Sequence, residues 1–483
     1  MTDDQTAVKE RQGPLRRLRG ADGGFDRTLI APMILGSILN PINSSIIAVS
    51  LIPIGRAFGA PPAQTAWLIS ALYLATAVGQ PVVGRLVDLY GPRRLFLIGT
   101  VLTGVAGVLG MLAPNLAVLI VARVILGFGT CAGYPASMYL LRSEAERTGH
   151  DSPSGVLTVL AVANQTIAVI GPSLGGLLIG LGGWRTTFAV NVPLALAAFV
   201  LALLRFPKTS ARQGSSSTAS SIDYLGIVAF AGMLVSALLF LMTPRLSNIY
   251  LLAIAVVAAA VLAVRELRTR DPFIDLRMLG GNLPLVATYV RSVLAATVSY
   301  SFLYGFTQWL EDGRGLSAST AGLVLLPVFG TAILVSTTTG RSPEIRGKLL
   351  FGAVFQVVAC ALMLALHAGT AIWLLIGLAL VMGVPQGLLS LANQNAVYRQ
   401  ADPARMGSSA GLLRMFSYLG ALISSSADGI FYGHTADTSG MHRLALFVLV
   451  VSGLLVLMTV LDRSLKRVGA RMDKAGKPEN TPN

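Results

Sequence analysis

Long apolar runs separated by short polar gaps follow one another along almost the whole of this sequence. An α-helix needs about 20 predominantly apolar residues to cross the hydrocarbon core of a bilayer. Only helices and closed barrels satisfy every backbone hydrogen bond at that depth. The runs therefore predict an all-α polytopic membrane protein with fourteen transmembrane helices. The predicted spans are 28–54, 64–88, 94–113, 116–141, 153–180, 185–206, 222–242, 247–264, 284–310, 318–339, 348–367, 371–398, 405–432 and 441–462.

The composition supports lipid as the solvent for most of the chain. Of the 483 residues, 54% are hydrophobic and 12% are charged, whereas a soluble domain carries about 25% charged residues. Both cysteines, Cys131 and Cys360, lie inside apolar runs, which argues against a disulfide framework. The four histidines lie in loops or at span boundaries without metal-ligand spacing, and no phosphate-binding loop is present. We therefore expect no metal, no cofactor and no enzymatic activity.

The basic residues indicate how the chain is oriented. With the amino terminus placed in the cytoplasm, 29 of the 37 Lys and Arg residues fall in cytoplasmic segments, five in external loops and three inside spans. Translocated loops resist carrying Lys and Arg, so both termini are expected in the cytoplasm, with the chain in a bacterial inner membrane. The net charge of +15 then reflects membrane topology, and nucleic acid is not an expected partner. The basic tails, residues 1–27 and 463–483, are expected to contact anionic lipids.

A polar motif occurs twice in gaps between spans, at Gly84–Arg94 and again at Gly340–Lys348. Glycine allows a close backbone approach where a helix ends, and Asp88 can accept hydrogen bonds from N–H groups at the start of a neighbouring helix. We predict that both copies form a conformational latch; the alternative is a plain basic loop that obeys the positive-inside rule. The predicted latch residues are Gly84, Arg85, Asp88, Gly91, Arg93 and Arg94, with Gly340, Arg341, Glu344 and Gly347 in the second copy.

The repeat also predicts the domain organisation, because its two copies are eight spans apart. Residues 28–206 form one six-helix bundle and residues 284–462 form another. Residues 207–283 provide a Ser-rich linker and two extra helices. One chain thus contains both bundles, and we expect a monomer.

The spans, the two halves and the repeated motif resemble the major facilitator superfamily, and more narrowly its fourteen-span drug:proton antiporter branch. Gly84–Arg94 matches the loop motif of the family, and Arg123 lies in its basic motif of span 4. The antiporter motif of span 5 is matched by Gly171, Pro172, Gly175 and Gly176. Proline is expected to bend that span, and the glycines to let another helix pack closely. The resemblance implies two rocking bundles, proton coupling and export.

The sequence departs from the branch at two positions that bear on the cargo. Asn43 stands where the branch has an aspartate in span 1, and Arg414 stands where it commonly has asparagine in span 13. Charged groups at such depth are costly and usually functional, and no carboxylate lies near the middle of either half. We therefore expect a neutral or anionic amphipathic ligand. The predicted substrate-cavity residues are Asn40, Asn43, Arg123, Arg291, Gln386, Arg414, Tyr300 and Tyr304; a structural role between helices is the alternative for each.

These features predict a secondary active transporter that exports an amphipathic, drug-like compound by alternating access. Its expected partners are that small molecule and protons, with Asp88, Glu344 and Asp428 as candidates for proton coupling. One alternative is a transporter of an anionic or lipid-like solute, including an importer, that is not coupled through the usual carboxylate. A membrane-embedded enzyme or sensor is a further alternative, but no nucleophile–base pair supports it.

Overall fold

The computed structural model describes residues 25–65, 67–148, 154–208, 223–242, 246–269, 272–340, 342, 344–433, 435–462 and 464–465. These residues contain fourteen long helices. They are α1 Ile30–Phe58, α2 Trp67–Tyr90, α3 Pro92–Met111, α4 Leu116–Thr130 continued by Gly133–Thr148, α5 Ser154–Gly182, α6 Asn191–Arg205, α7 Tyr224–Met242, α8 Ile249–Arg268, α9 Leu283–Tyr300, α10 Ala318–Thr339, α11 Ile345–Leu364, α12 Ile372–Gln400, α13 Met406–Tyr432 and α14 Thr438–Leu461. The all-α fold predicted from the apolar runs is confirmed.

Helix α13 differs from the others in composition. Thirteen helices among the described residues are long and apolar enough to span a bilayer by themselves, and α13 is the fourteenth. Its 27 residues include Arg414 and Asp428 as well as several serines. Helices α2, α4, α7, α9 and α14 pack around it, and its polar side chains other than Ser425 are buried or half-buried.

The tight connections between helices follow from their local chemistry. Gly91 adopts a φ of +87° between α2 and α3, a conformation that glycine reaches without strain. Pro92 then opens α3, where the missing N–H costs no hydrogen bond. Asn115 caps α4 by accepting a hydrogen bond from the Val118 N–H at 3.0 Å. These turns hold α2, α3 and α4 as consecutive antiparallel spans.

Helices α1–α6 pack against one another, and so do α9–α14. The two groups meet along two seams. Helix α13 contacts α2 and α4 along one seam, and α5 contacts α10 and α12 along the other. Helix α7 packs on both α2 and α13, while α8 packs mainly on α7. We call the end of the molecule that carries Gly84–Arg94 the motif end, and the opposite end the far end.

The C-terminal part of α9 departs from α-helical geometry. A π-helical segment, Ser301–Phe306, continues α9, and a second, Trp309–Gly313, follows it. Short π-helical insertions within α-helices are rare and are frequent at functional sites. This segment lies towards the far end, beside α13.

The predicted basic tails fall mostly outside the described residues, as does the Ser-rich part of the linker at 209–222. The division into domains at 28–206, 207–283 and 284–462 stays a prediction.

Candidate functional site

A cluster of tyrosines lies between the two groups of helices. The hydroxyl of Tyr73 on α2 lies 3.2 Å from that of Tyr304 in the π-helical segment. The ring of Tyr73 also lies 5.7 Å, between centroids, from that of Tyr418 on α13. Tyr300 stacks on Tyr304 at 5.7 Å. We call these four residues the tyrosine cluster; it places flat apolar rings and hydroxyl groups on both sides of one seam.

Asn40 ties this cluster to the first group of helices. Its side-chain amide donates to the hydroxyls of Thr130 at 3.0 Å and Thr76 at 3.3 Å. Its oxygen accepts a hydrogen bond from the Tyr418 hydroxyl at 2.8 Å. Every polar atom of the buried Asn40 side chain is therefore satisfied, and one of its bonds crosses to α13.

The guanidinium of Arg414 lies close to the tyrosine cluster on the motif-end side, near Tyr300 and Tyr418. Arg414 of α13 lies over the ring of Tyr134 on α4, with 4.1 Å from its guanidinium carbon to the ring centroid. Tyr134 is buried and Arg414 is half-buried. A cation–π contact of this kind contributes roughly 0.5–2 kcal/mol. Arg414 therefore has a favourable resting position but no carboxylate partner among the described residues.

Two predicted cavity residues lie elsewhere, inside the first group of helices. The Asn43 amide donates to the Asn191 side-chain oxygen on α6 at 2.6 Å and to the Leu39 carbonyl at 2.8 Å. Arg123 donates to the backbone carbonyls of Leu68 at 2.8 Å and Asn43 at 3.4 Å. Both side chains are buried, so they join α1, α2, α4 and α6 instead of facing the seam. The structural alternative fits both residues.

Arg291 also departs from its predicted position. Its guanidinium is fully buried and pairs with Asp462, just beyond α14, and with the Thr288 hydroxyl. Burial opposes the ionised form of Asp462, but hydrogen bonds from Ser464 and Arg291 hold the pKa of this carboxyl below its ordinary value. The pair therefore links the first and last helices of the second group and leaves no free charge for a ligand.

Gln386 is half-buried on α12 and makes no side-chain hydrogen bond to the described residues. Within the described residues, Gln386 therefore has no hydrogen bond to the tyrosine cluster. Of the eight predicted cavity residues, the structure thus brings together four, which are Asn40, Tyr300, Tyr304 and Arg414.

Asp88 makes the main polar contact at the motif end. Its carboxylate accepts hydrogen bonds from the backbone N–H groups of Gly407 at 2.7 Å and Ser408 at 2.8 Å, and from the Ser408 hydroxyl. These N–H groups belong to the first turn of α13, where a helix has unsatisfied donors and favours an anion. Asp88 thus caps a helix of the opposite group, which is the type of contact that the sequence predicts for it.

The glycines at this contact allow the two backbones to touch. A Cβ added to Gly84 would overlap the carbonyl oxygen of Gly407, and one added to Gly411 would overlap that of Gln80. Any side chain at Gly84 would therefore push α2 away from α13. The distance over which Asp88 reaches α13 depends on that close approach.

The arginines of the first motif point to other partners. Arg93 donates to the Leu203 carbonyl at 2.8 Å, at the end of α6, and Arg94 is exposed. Arg85 is half-buried and close enough to Asp88 to interact with it electrostatically. Only Arg85 among the three therefore supports the Asp88 contact directly.

The second motif copy does not reproduce the contact of the first. Helix α10 ends at Thr339, and Glu344 lies at the N-cap of α11 with an exposed side chain and without a capping hydrogen bond. The glycine position is nevertheless used, because a Cβ on Gly340 would overlap Thr158 of α5. A Cβ on Gly347 would meet only the Glu344 carboxylate, at 2.6 Å, and Arg341 lies outside the described residues.

The antiporter motif on α5 is divided between two faces. A Cβ on Gly171 would overlap Ser45 of α1, and one on Gly175 would lie 2.6 Å from a methyl group of Val49. These two positions, four residues apart, form one helix face against α1. Gly176 has open space around it, and Pro172 is exposed. The expectation of close packing is wrong for Gly176, because this position, about 100° around the helix from Gly175, faces away from α1.

The sequence reasoning missed three residues of the site, namely Tyr73, Tyr134 and Tyr418. Each tyrosine lies within an apolar span, and a buried hydroxyl at that depth requires a partner. That requirement is the signal that could have identified them. Their partners on other helices are visible only in the fold.

Comparison with known proteins gives a consistent result. The family model described as Major Facilitator Superfamily matches residues 33–425. An uncharacterized MFS-type transporter of Bacillus subtilis, YwoD, is 32% identical over 440 residues, which cover 90% of this chain and 96% of that protein. A multidrug resistance protein B homolog of Mycobacterium tuberculosis is 28% identical, with coverage of 81% and 74% respectively.

A solved structure has the same fold. The crystal structure of the human organic anion transporter MFSD10 (TETRAN) superimposes with a TM-score of 0.65 at 15% sequence identity. The match covers 92% of this chain and all of that one. At this identity, the likeness concerns the fold alone.

Proposed function

The chain belongs to the major facilitator superfamily of membrane transporters, and from that membership we propose that it exports an amphipathic organic compound in exchange for protons. The motif end is cytoplasmic in this proposal, as the distribution of Lys and Arg favours. The membrane is then the bacterial inner membrane, and the basic tails contact its anionic lipids. Each chain carries both bundles and works as a monomer.

The tyrosine cluster is the observation that carries the proposal. It combines side chains from α2 in one bundle with side chains from α9 and α13 in the other. Binding sites for small molecules are mostly apolar, with a few polar groups that fix orientation. Stacked rings with hydroxyl groups at their edges suit a ligand that is itself partly apolar and partly polar.

Alternating access follows from the position of this cluster. The Tyr418–Asn40 and Tyr73–Tyr304 contacts both cross between bundles, so rocking one bundle against the other breaks or remakes them. A ligand that inserts between the rings replaces these contacts in one conformation more than in another. A differential interaction of this kind is what allows a ligand to shift a conformational equilibrium.

Export is the direction that the relatives favour. The Mycobacterium tuberculosis relative is named a multidrug resistance protein, and resistance by a transporter requires removal of the compound. The Gly171–Gly176 motif on α5 supports the same direction through its resemblance to antiporters.

A second candidate function is transport of an anionic or lipid-like solute. The observation in its favour is Arg414, whose guanidinium lies over Tyr134 and close to Tyr300 and Tyr418 of the tyrosine cluster. No carboxylate contacts the cluster within the described residues. A cationic compound would find no counter-charge there, whereas an acidic compound would find Arg414.

Uptake into inverted membrane vesicles tests the proposal. We expect accumulation of at least one dye from a panel of one anionic, one neutral and one cationic amphipathic dye. Accumulation should require an inward-acidic pH gradient and should collapse when a protonophore is added. Accumulation that ignores the gradient would contradict proton exchange but leave transport intact.

A pair of tyrosine variants provides the matched control. Tyr418→Phe removes the hydroxyl that donates a hydrogen bond to Asn40. Loss of a buried hydrogen bond of this kind costs about 1 kcal/mol. We therefore expect the apparent affinity for the dye to change several-fold. Tyr250→Phe alters an exposed tyrosine on α8 and should leave uptake unchanged. Equal effects of both variants would count against the cluster as the substrate site.

A further inference from the structure

One face of α13 near the far end carries three polar side chains at successive helical turns: Ser424, Asp428 and Tyr432. All three are buried, with exposed fractions of 0%, 4% and 8%. This face packs against the π-helical segment Ser301–Phe306. The positions four residues apart bring the three side chains into line along one contact.

The outer two members of this row have partners in the π-helical segment. The Ser301 hydroxyl donates to the Ser424 hydroxyl at 3.0 Å. The Tyr432 hydroxyl donates to the Gly305 carbonyl at 2.8 Å. Asp428 lies between them, and neither of its carboxyl oxygens has a hydrogen-bond partner among the described residues.

Glycine in the segment makes room for this carboxyl group. A Cβ added to Gly305 would lie 2.7 Å from an oxygen of Asp428 and would also overlap the space of Leu444 on α14. The carboxyl group therefore rests directly on the backbone of the π-helical segment. Any shift of that segment changes the surroundings of Asp428.

The ionisable groups on the neighbouring elements do not compensate a negative charge at this position. On α13 itself, the Tyr432 hydroxyl is directed to Gly305. Beyond the π-helical segment, Glu311 and Asp312 are exposed acids, and Tyr304 contacts Tyr73. On α14, the His442 ring contacts the Leu366 carbonyl at 2.8 Å, and the side chain of Arg443 is exposed.

A buried carboxylate without a donor or a cation is strongly disfavoured, and such a group takes up a proton instead. Intramembrane acids of this kind mark proton relays. The same segment also carries Tyr304, the residue next to Gly305, which makes the inter-bundle contact with Tyr73. One short element thus touches both the tyrosine cluster and Asp428.

We propose that Asp428 is the proton carrier of the transport cycle, and that the π-helical segment couples its protonation to the tyrosine cluster. This inference rests on the proposed proton exchange. The chemical step is a single protonation: one O–H bond forms at a carboxyl oxygen with a proton taken from water on one side. The same bond breaks, and the proton returns to water on the other side, when the segment moves and exposes the carboxyl group.

Infrared spectroscopy of the full-length protein in lipid tests the bound proton without any substrate. We expect a carbonyl stretch from a protonated carboxyl group at neutral pH, and its loss in Asp428→Asn. Asp312→Asn alters an exposed acid near the same end and should keep the band. If the band is the same in wild type and Asp428→Asn, the proposal is overturned.

Vesicle transport with the dye panel tests the coupling. Asn preserves the shape of the side chain but does not titrate, so Asp428→Asn should lose accumulation driven by the pH gradient while keeping exchange of dye across the membrane at equal pH. Gradient-driven accumulation that survives in Asp428→Asn overturns the proposal and leaves proton exchange standing. Loss of equal-pH exchange as well would make Asp428 a structural residue and would also overturn it.

The two experiments separate failure of this inference from failure of the proposed function. If wild-type vesicles ignore the pH gradient, the proton exchange proposed above is wrong. The infrared band still reports whether Asp428 holds a proton in that case.

Discussion

At the residue scale, Arg123, Arg291 and Arg414 each meet a different kind of partner within the membrane-spanning helices. Arg123 donates to backbone carbonyls, and Arg291 pairs with the carboxylate of Asp462. Arg414 rests on an aromatic ring. A ligand cannot replace a buried carbonyl or a buried ion pair without loss, but it can draw Arg414 away from Tyr134 at modest cost.

Replacement of Arg414 by glutamine should therefore act selectively on acidic cargo. We expect the KM for the anionic dye to rise about tenfold, which corresponds to about 1.4 kcal/mol, because its counter-charge is removed. The KM for the neutral dye should stay close to that of wild type. Initial uptake rates in inverted vesicles give both values.

Arg414→Lys is the control for this prediction because it keeps the charge while changing the shape of the donor. It should retain most of the preference for the anionic dye. A similar loss for both dyes in Arg414→Gln would show that Arg414 supports the fold rather than the cargo.

The residue scale is also where sequence reasoning is least complete. A polar side chain in an apolar run predicts that a partner exists, but a helix offers several faces to its neighbours. Asn43 and Arg123 find partners within their own bundle, whereas Asn40, three residues earlier, reaches Tyr418 in the other. Only the packing of the helices distinguishes these outcomes.

At the element scale, α2 and α13 pack with their backbones in contact through glycine. Gly84 and Gly407 face each other across the seam, and Gly411 meets the carbonyl of Gln80. Close approach of this kind stabilises helix pairs in membranes, where packing replaces the hydrophobic effect. It also sets the distance over which Asp88 reaches the start of α13.

Gly84→Ala should consequently destabilise the protein. The added methyl group would overlap the Gly407 carbonyl, and a backbone atom cannot rotate away. We expect a loss of about 1–3 kcal/mol, the usual cost of overpacking, seen as a lower melting temperature in detergent.

Gly176→Ala offers a control in the same type of helix, because open space surrounds that position. It should leave the melting temperature unchanged or slightly raised, since alanine favours helix more than glycine does. An equal fall in both variants would refute the backbone contact as the cause.

The two copies of the polar motif show what a repeat in sequence predicts about structure. The glycine position is used in both copies, since Gly84 contacts α13 and Gly340 contacts α5. The acidic position is not, because Glu344 lies at the start of the next helix instead of within α10. Shared spacing therefore predicts a related fold more reliably than it predicts a shared contact.

At the scale of the whole molecule, contacts on both seams join the two groups of helices at the motif end. Asp88 joins α2 to α13, and Gly340 packs against Thr158 to join α10 to α5. If the bundles move as rigid bodies, weakening one contact must also open the other. This linkage can be measured because Thr158 is buried.

We expect Asp88→Asn to speed the labelling of a reporter at the other seam. In Thr158→Cys protein, a membrane-impermeant maleimide should react several-fold faster when Asp88→Asn is also present. Asp88 uses one oxygen for the Gly407 N–H and the other for the Ser408 N–H, whereas asparagine has a single acceptor oxygen and no charge, so it loses at least one bond and weakens the rest. The native thiols, Cys131 and Cys360, are buried and provide a low background. Unchanged labelling would mean that the two seams open independently.

The overall fold was largely predictable because a bilayer imposes a simple rule on length and composition. Helix α13 shows why that rule works even where it is weakest. Its run is interrupted by Arg414 and Asp428, yet it is 27 residues long and runs from the motif end to the far end. The π-helical geometry of Ser301–Phe306 had no comparable signal, since it depends on packing against α13.

The two flanks of the molecule differ because of the extra helices. Helix α7 lies across α2 and α13 and is joined to α13 by the Ser426 hydroxyl, which donates to the Leu241 carbonyl at 2.6 Å. On the opposite flank, within the described residues, α5 meets α10 and α12 without a helix across them. The extra helices therefore cover the seam between α2 and α13 and leave the seam of α5 with α10 and α12 exposed to lipid. A compound dissolved in the membrane that enters the protein from the side would consequently enter at the α5 seam.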